Sequence, residues 1–260
     1  MSWVRIRAIA HKEWLELRRS RFTMVAIVLL PLIFLAITLA MMTAASSAPP
    51  GSGRGMPSAP PALRHLSGTE VLLVLLGDQM LFLQLMIPVT LPVLIASSSV
   101  VGEKERRSLE PLLATPVTTF ELLTGKALSA CLLPVLITWA GYAICALAGS
   151  ALLPHPVFVQ LVRPAWLVGI GLVAPALGIM AVFLALLVSS RVDDVRSAQQ
   201  ICGLFVLPII GMSMATVLGK VFVSTLQMVL ILLMLLVLDA VMVLLAVNTF
   251  ERETVLTRWT

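Results

Sequence analysis

LQMVLILLMLLVLDAVMVLLAVN, residues 226–248, places one charged side chain, Asp239, among twenty-three positions dominated by leucine and valine. A helix that is apolar all round must be enclosed by a large core or by lipid. A bilayer core about 30 Å thick is crossed by about 20 helical residues. Five further runs have the same character, at 22–44, 79–101, 127–148, 166–188 and 199–218, and the six together make up roughly half of the 260 residues. The pattern predicts an all-α integral membrane protein with six transmembrane helices.

Composition leads to the same class. Apolar residues make up 59% and charged residues 12% of the chain, whereas soluble domains hold about 45–50% and about 25%. So few charges do not cover a soluble protein of this length. A soluble enzyme domain, a disulfide-framed secreted module and a disordered tail are all excluded. Cys131, Cys145 and Cys202 fall in or beside apolar runs without metal or redox spacing, so they read as packing residues. His11, His65 and His155 are each alone in sequence, and no metal site is expected. The first run is too long, and its basic flank too extended, for a cleaved signal peptide, so it counts as a span.

The net charge of +5 matters less than where the basic residues fall. With the N-terminus inside, fourteen Lys and Arg lie on the cytoplasmic side and four, Arg54, Arg64, Arg163 and Lys220, outside. The positive-inside rule therefore puts both termini in the cytoplasm of a multi-pass plasma-membrane protein. Nothing in the basic residues calls for a nucleic-acid partner. Residues 45–65 form an external Pro/Gly/Ser-rich loop, and 66–78 read as a short external helix leading into the second span. Pro208, Gly211 and Gly219 break the stretch 207–225, which reads equally as a kinked span end or a short re-entrant turn.

Two segments are more than membrane. In residues 1–21, Trp3, Ile6, Ala10, Trp14 and Leu17 recur at helical steps, with Arg5, Lys12, Glu16 and Arg19 largely on other faces. This predicts an interfacial amphipathic helix with Trp3 and Trp14 as anchors at headgroup depth, in contact with membrane lipid. The second segment joins the second and third spans and is too elaborate for a simple reversal of direction. Residues 102–117 carry the charges Glu103, Glu105, Arg106 and Glu110, then Leu109, Leu112 and Leu113 at helical spacing, and end near Pro116. A short helix with an apolar stripe and charged shoulders suits a groove in a partner, the leucines giving affinity and the charges register.

These residues carry a family resemblance. Glu103-Lys104-Glu105-Arg106, Ser108-Leu109-Glu110, Leu112-Leu113-Ala114-Thr115-Pro116-Val117 and Gly125-Lys126 resemble the signature of the type-2 ABC transporter permease family. The start His11-Lys12-Glu13-Trp14 with Arg18-Arg19-Ser20-Arg21, and the tail around Phe250-Glu251-Arg252-Glu253 in residues 249–260, are similar to that family's ends. The resemblance implies six spans (22–248), an N-terminal interfacial helix and a cytoplasmic coupling helix at 102–117. It also implies docking on a separate ATP-binding cassette ATPase subunit that holds ATP and Mg, a second permease copy or homologue, and export as the default direction. Arg107 stands where the family usually has a small residue. The chain has no phosphate-binding loop of its own, since Ala127 follows Gly125-Lys126 and Val221 follows Gly219-Lys220. No catalytic residues are expected.

Asp239 is the only acid deep in an apolar run. Its insertion costs about 2.5–3.5 kcal/mol at mid-span, against about −0.3 to −0.6 for each Leu, Ile or Val. Nine Leu, five Val and Ile231 outweigh it, so the acid is affordable and is a candidate for the translocation path or for a hydrogen bond to a neighbouring helix. Gly211 and Ala215, four apart, allow close helix approach and are candidates for a permease–permease seam along that path. An autonomous carrier is the alternative, but one intramembrane acid and no internal repeat argue against it.

Overall fold

The computed structural model describes residues 3–47, 68–105, 118–192, 194–218 and 221–249. Among these, every regular element is helical. Six helical stretches are long and apolar enough to cross a membrane: Thr23–Ala44, Glu70–Ser99, Phe120–Leu152, His155–Ser189, Val195–Val217 and Thr225–Thr249.

The chain opens with α1, Trp3–Arg19, followed after one residue by α2, Arg21–Ser46. Ser20 interrupts the helix and restarts it. Its hydroxyl accepts from the Thr23 amide at 3.4 Å and pairs with the Thr23 hydroxyl at 2.8 Å, the geometry of an N-cap. The second span belongs to α3, Gly68–Glu105, one helix of 38 residues. The short external helix expected at 66–78 is therefore not separate. Only Glu70 and Asp78 carry charge before the apolar run, so nothing in 68–78 breaks the helix.

Helix α4, Thr119–Leu152, starts from a capping box. The Thr118 hydroxyl accepts from the Glu121 amide at 3.2 Å, and the Thr118 amide donates to the Glu121 carboxylate at 3.3 Å. The fourth span is composite: α5, His155–Leu161, α6, Pro164–Val168, a π-turn at Gly169–Val173, and α7, Ala174–Ser189. Pro156 and Pro164 sit in the first turns of the two short helices, where a missing amide costs no hydrogen bond. The fifth span joins α8, Val195–Gly203, to α9, Leu207–Val217, through a tighter turn at Leu204–Val206. Gly211 lies within α9, so 207–217 is the end of a span and not a re-entrant turn. The sixth is α10, Thr225–Thr249.

Helix α3 is the centre of the bundle and packs against α2, α4, α7, α8 and α9. In its most apolar stretch 78% of residues are buried, against 17% for the first and sixth spans. The peripheral spans turn leucine and valine outward, as lipid-facing helices do. Close packing and open space can be told apart at the glycines. A Cβ on Gly125 would lie 2.8 Å from Ile9 Cγ2, 2.9 Å from its Cβ and 3.3 Å from the Ile6 carbonyl, whereas nothing lies within 4 Å of one on Gly211. Replacing Gly125 by alanine is expected to push α1 from α4 at a cost of about 1–3 kcal/mol. Gly211→Ala is expected to leave stability unchanged, or to raise it by up to about 1 kcal/mol through helix propensity. Thermal unfolding of the two variants in detergent checks the contrast.

Candidate functional site: two buried ion clusters and one isolated acid

Helix α1 lies along the start of α4 with Ile6, Glu13 and Leu17 buried. Trp3 and Trp14 are 66% and 39% exposed. The buried stripe is therefore rotated roughly 40–50° from the centre of the apolar positions, at 100° per residue. A charged side chain causes the rotation. Glu13 is turned inward, where Lys126 Nζ donates to its Oε1 at 2.8 Å and the Ser99 hydroxyl donates to its Oε2 at 2.7 Å. Lys126 Nζ also lies 2.8 Å from Ser99 Oγ, closing a ring contributed by three helices. Lys12 Nζ approaches the same carboxylate at 3.5 Å, and Arg5 reaches Glu121 at 3.6 Å. Two residues before Ser99 on α3, Ser97 Oγ accepts from the Gln199 side-chain amide of α8 at 3.4 Å. Burial pushes the Glu13 carboxyl up, but the Lys126 ammonium, with the Ser99 hydroxyl and Lys12, outweighs it and holds the pKa below its ordinary value.

This cluster flanks the 102–117 segment. Ser99 lies six residues before the end of α3, and Lys126 lies in the second turn of α4. Glu103 and Glu105 fall in the closing turn of α3. Arg106, Leu109, Glu110, Leu112 and Leu113 lie outside the described residues.

At the opposite end of α3, Asp78 is 2% exposed. Arg163 donates to its Oδ2 and the Trp166 indole to its Oδ1, each at 2.8 Å. Phe82 meets Trp166 edge to face at 5.1 Å, and the Arg163 guanidinium lies 4.3 Å above the Phe222 ring. That ring stands in for acceptors, because Arg163 Nε and Nη1 have no hydrogen-bond partner among the described residues. Gln79 Oε1 accepts from the Ser213 hydroxyl of α9 at 2.7 Å. Nearby, the π-turn withdraws the Ile170 carbonyl from the usual helical ladder, and the Trp139 indole donates to it at 2.9 Å. Sequence reading counted Arg163 only as an outside charge and gave Asp78 no role. The one available signal was an acid and a base each at the margin of an apolar run.

Asp239 is 6% exposed and shares the inward stripe of α10 with Met228, Leu235 and Ala246. Among the described residues, neither carboxylate oxygen has a hydrogen-bond partner. Gly211, by contrast, is exposed on α9 and Ala215 half-buried. Asp239 and Gly211 therefore do not share a surface of the subunit.

The helices, their length and the buried charges at both ends of the central one define a multi-pass helical membrane protein, with a long connection fastened between its second and third spans. A family model described as an ABC-2 family transporter protein matches residues 7–255, nearly the whole chain. The chain belongs to that family, as a membrane transport subunit. No curated protein matches it.

Two expectations follow from the clusters. Asp78→Asn leaves the Arg163 charge buried and unpaired, and is expected to cost about 3–5 kcal/mol, read as a lowered unfolding temperature that Arg163→Gln partly restores. Glu13 has a folded pKa below 4.5. Its stabilisation is therefore fully present above that pH and lost as the pH falls through the lower folded value. Hydrogen exchange of the α1 amides should stay slow at pH 5 and accelerate only in stronger acid; loss of protection starting above pH 4.5 would contradict the pairing.

Proposed function

We propose that this chain is the translocating subunit of an ATP-driven exporter in the plasma membrane, with both termini cytoplasmic and residues 102–117 docked on a separate ATP-binding cassette ATPase. Leu109, Leu112 and Leu113 are the apolar anchors, and Glu103, Glu105, Arg106 and Glu110 set the register. ATP and Mg bind to the partner, and two permeases, identical or homologous, form the path between them. Family membership supports the transport class. The observation that carries the docking site is the fastening of both its flanks. Ser99 and Lys126, one on each side of the segment, are locked to a third helix by Glu13. A connection that only reversed the chain direction would need no such anchorage.

Displacement of the segment by partner closure would be carried rigidly by α3 and α4 into the bundle, because both are continuous helices through the bilayer. On the opposite face, the exposed Trp3 and Trp14 of α1 suit headgroup depth, with Arg7 and Arg18 toward anionic lipid.

The test is purification of the chain from membranes that also express its neighbouring genes. A stoichiometric ATPase with a phosphate-binding loop, lost on Leu109→Asp with Leu112→Asp, is the expected result. Recovery of the chain alone, or retention of the partner by the double variant, would overturn the docking assignment.

A further inference from the structure

We infer that Glu13, Lys126 and Ser99 are positioning residues that bind α1 and both flanks of the 102–117 segment into one mechanical unit, so that movement of the segment reaches α1 and, through it, the first span. The inference rests on the transporter reading above and assigns a role to two sequence landmarks. His11-Lys12-Glu13-Trp14 and Gly125-Lys126 are more than a hundred residues apart, and their charged members meet at 2.8 Å.

The first argument is geometric. The ring takes one corner from each of three helices, and its three contacts are 2.7, 2.8 and 2.8 Å. A slide of α1 by a single residue moves Glu13 about 1.5 Å, enough to break both of its contacts. Apolar packing does not impose such a register, since methyl and methylene groups exchange neighbours at little cost. Here the packing is also unusually close, because Gly125 admits Ile9 where any side chain would exclude it. Arg5 adds a second attachment at the Glu121 capping box, the point where α4 begins.

The second argument is energetic. A buried ion pair gains little stability over apolar residues of similar volume, because both charges lose their water. A pair 4% and 6% exposed at its side chains is therefore poorly explained as a stabiliser. What it does supply is a single allowed position. The link onward is short, since only Ser20 separates α1 from α2 and its hydroxyl caps the helix that follows. The first span, like the sixth, has few buried residues, so little burial opposes its displacement.

The test uses the complex purified through a tag on this chain and two readouts. Spin labels on Ala8→Cys and Leu128→Cys, in a chain whose three native cysteines are alanine, report the α1–α4 distance. Vanadate-sensitive ATP hydrolysis by the complex reports coupling. The apolar pair Glu13→Met with Lys126→Met is expected to keep its unfolding temperature and its partner. It is also expected to broaden the distance distribution and to lower hydrolysis about fivefold. If that pair does not fold, Ser99→Ala removes one corner of the ring and should broaden the distribution to a lesser degree. A narrow distribution or wild-type hydrolysis in a folded variant overturns the inference while leaving the transporter reading intact. A wild-type chain that carries no such hydrolysis overturns the transporter reading, and the transmission role with it.

Discussion

A polar group in hydrocarbon must find its partner inside the protein, and helix α3 shows what that constraint does to a whole fold. Its centre is enclosed by five neighbouring helices, so no charge on it can reach headgroup or water within the slab. Among the described residues, the buried ion pairs beside α3 fall in two clusters, at Asp78 and at Ser99. These positions are 21 residues apart on one unbroken helix, about 31 Å at 1.5 Å per residue, close to the thickness of the hydrocarbon core. Each cluster recruits elements that would otherwise be loosely held: α1 at one end, and the short helices α5 and α6 with the Phe222 segment at the other.

The spans could be read from the sequence because they obey a one-dimensional rule. Apolar runs of about 20 residues need no knowledge of neighbours, and 226–248 lies within the helix that forms. Contacts between distant residues obey no such rule. The apolar positions of α1 predict an inward face centred near Ala10, yet Glu13 pulls the helix round because Lys126 waits on α4. In a pattern built on hydrophobicity an acid always votes for solvent, so the partner 113 residues away is invisible to it. A trace existed: Glu13 falls seven residues after Ile6 and four before Leu17, inside the stripe, and Lys126 stands immediately before the third apolar run.

The fourth span was harder for a different reason. Its 35-residue stretch is interrupted by Pro156, Pro164 and Gly169, and hydropathy averages over such breaks. The run 166–188 therefore marked the continuous part and left α5 outside the membrane. The π-turn at Gly169–Val173 makes the two parts one span by inserting an extra residue per turn, and Trp139 takes up the carbonyl it displaces. Periodicity at 3.6 residues cannot register an insertion of that kind.

Asp239 differs from Asp78 and Glu13 in one respect: it is buried to a similar degree but has no donor on either oxygen among the described residues. The paired acids lie at the ends of the bundle, where they fix helices that must not slip, while the unpaired one lies in the interior, facing α4 from the sixth span. The burial of the spans follows the same division. Few residues of the first and sixth spans are buried, whereas α3 is enclosed along most of its length by its neighbours. Asp239 thus sits on a span with few buried residues, whereas the charges that fix the frame, Asp78 with Arg163 and Glu13 with Lys126, sit on or against the most enclosed helix.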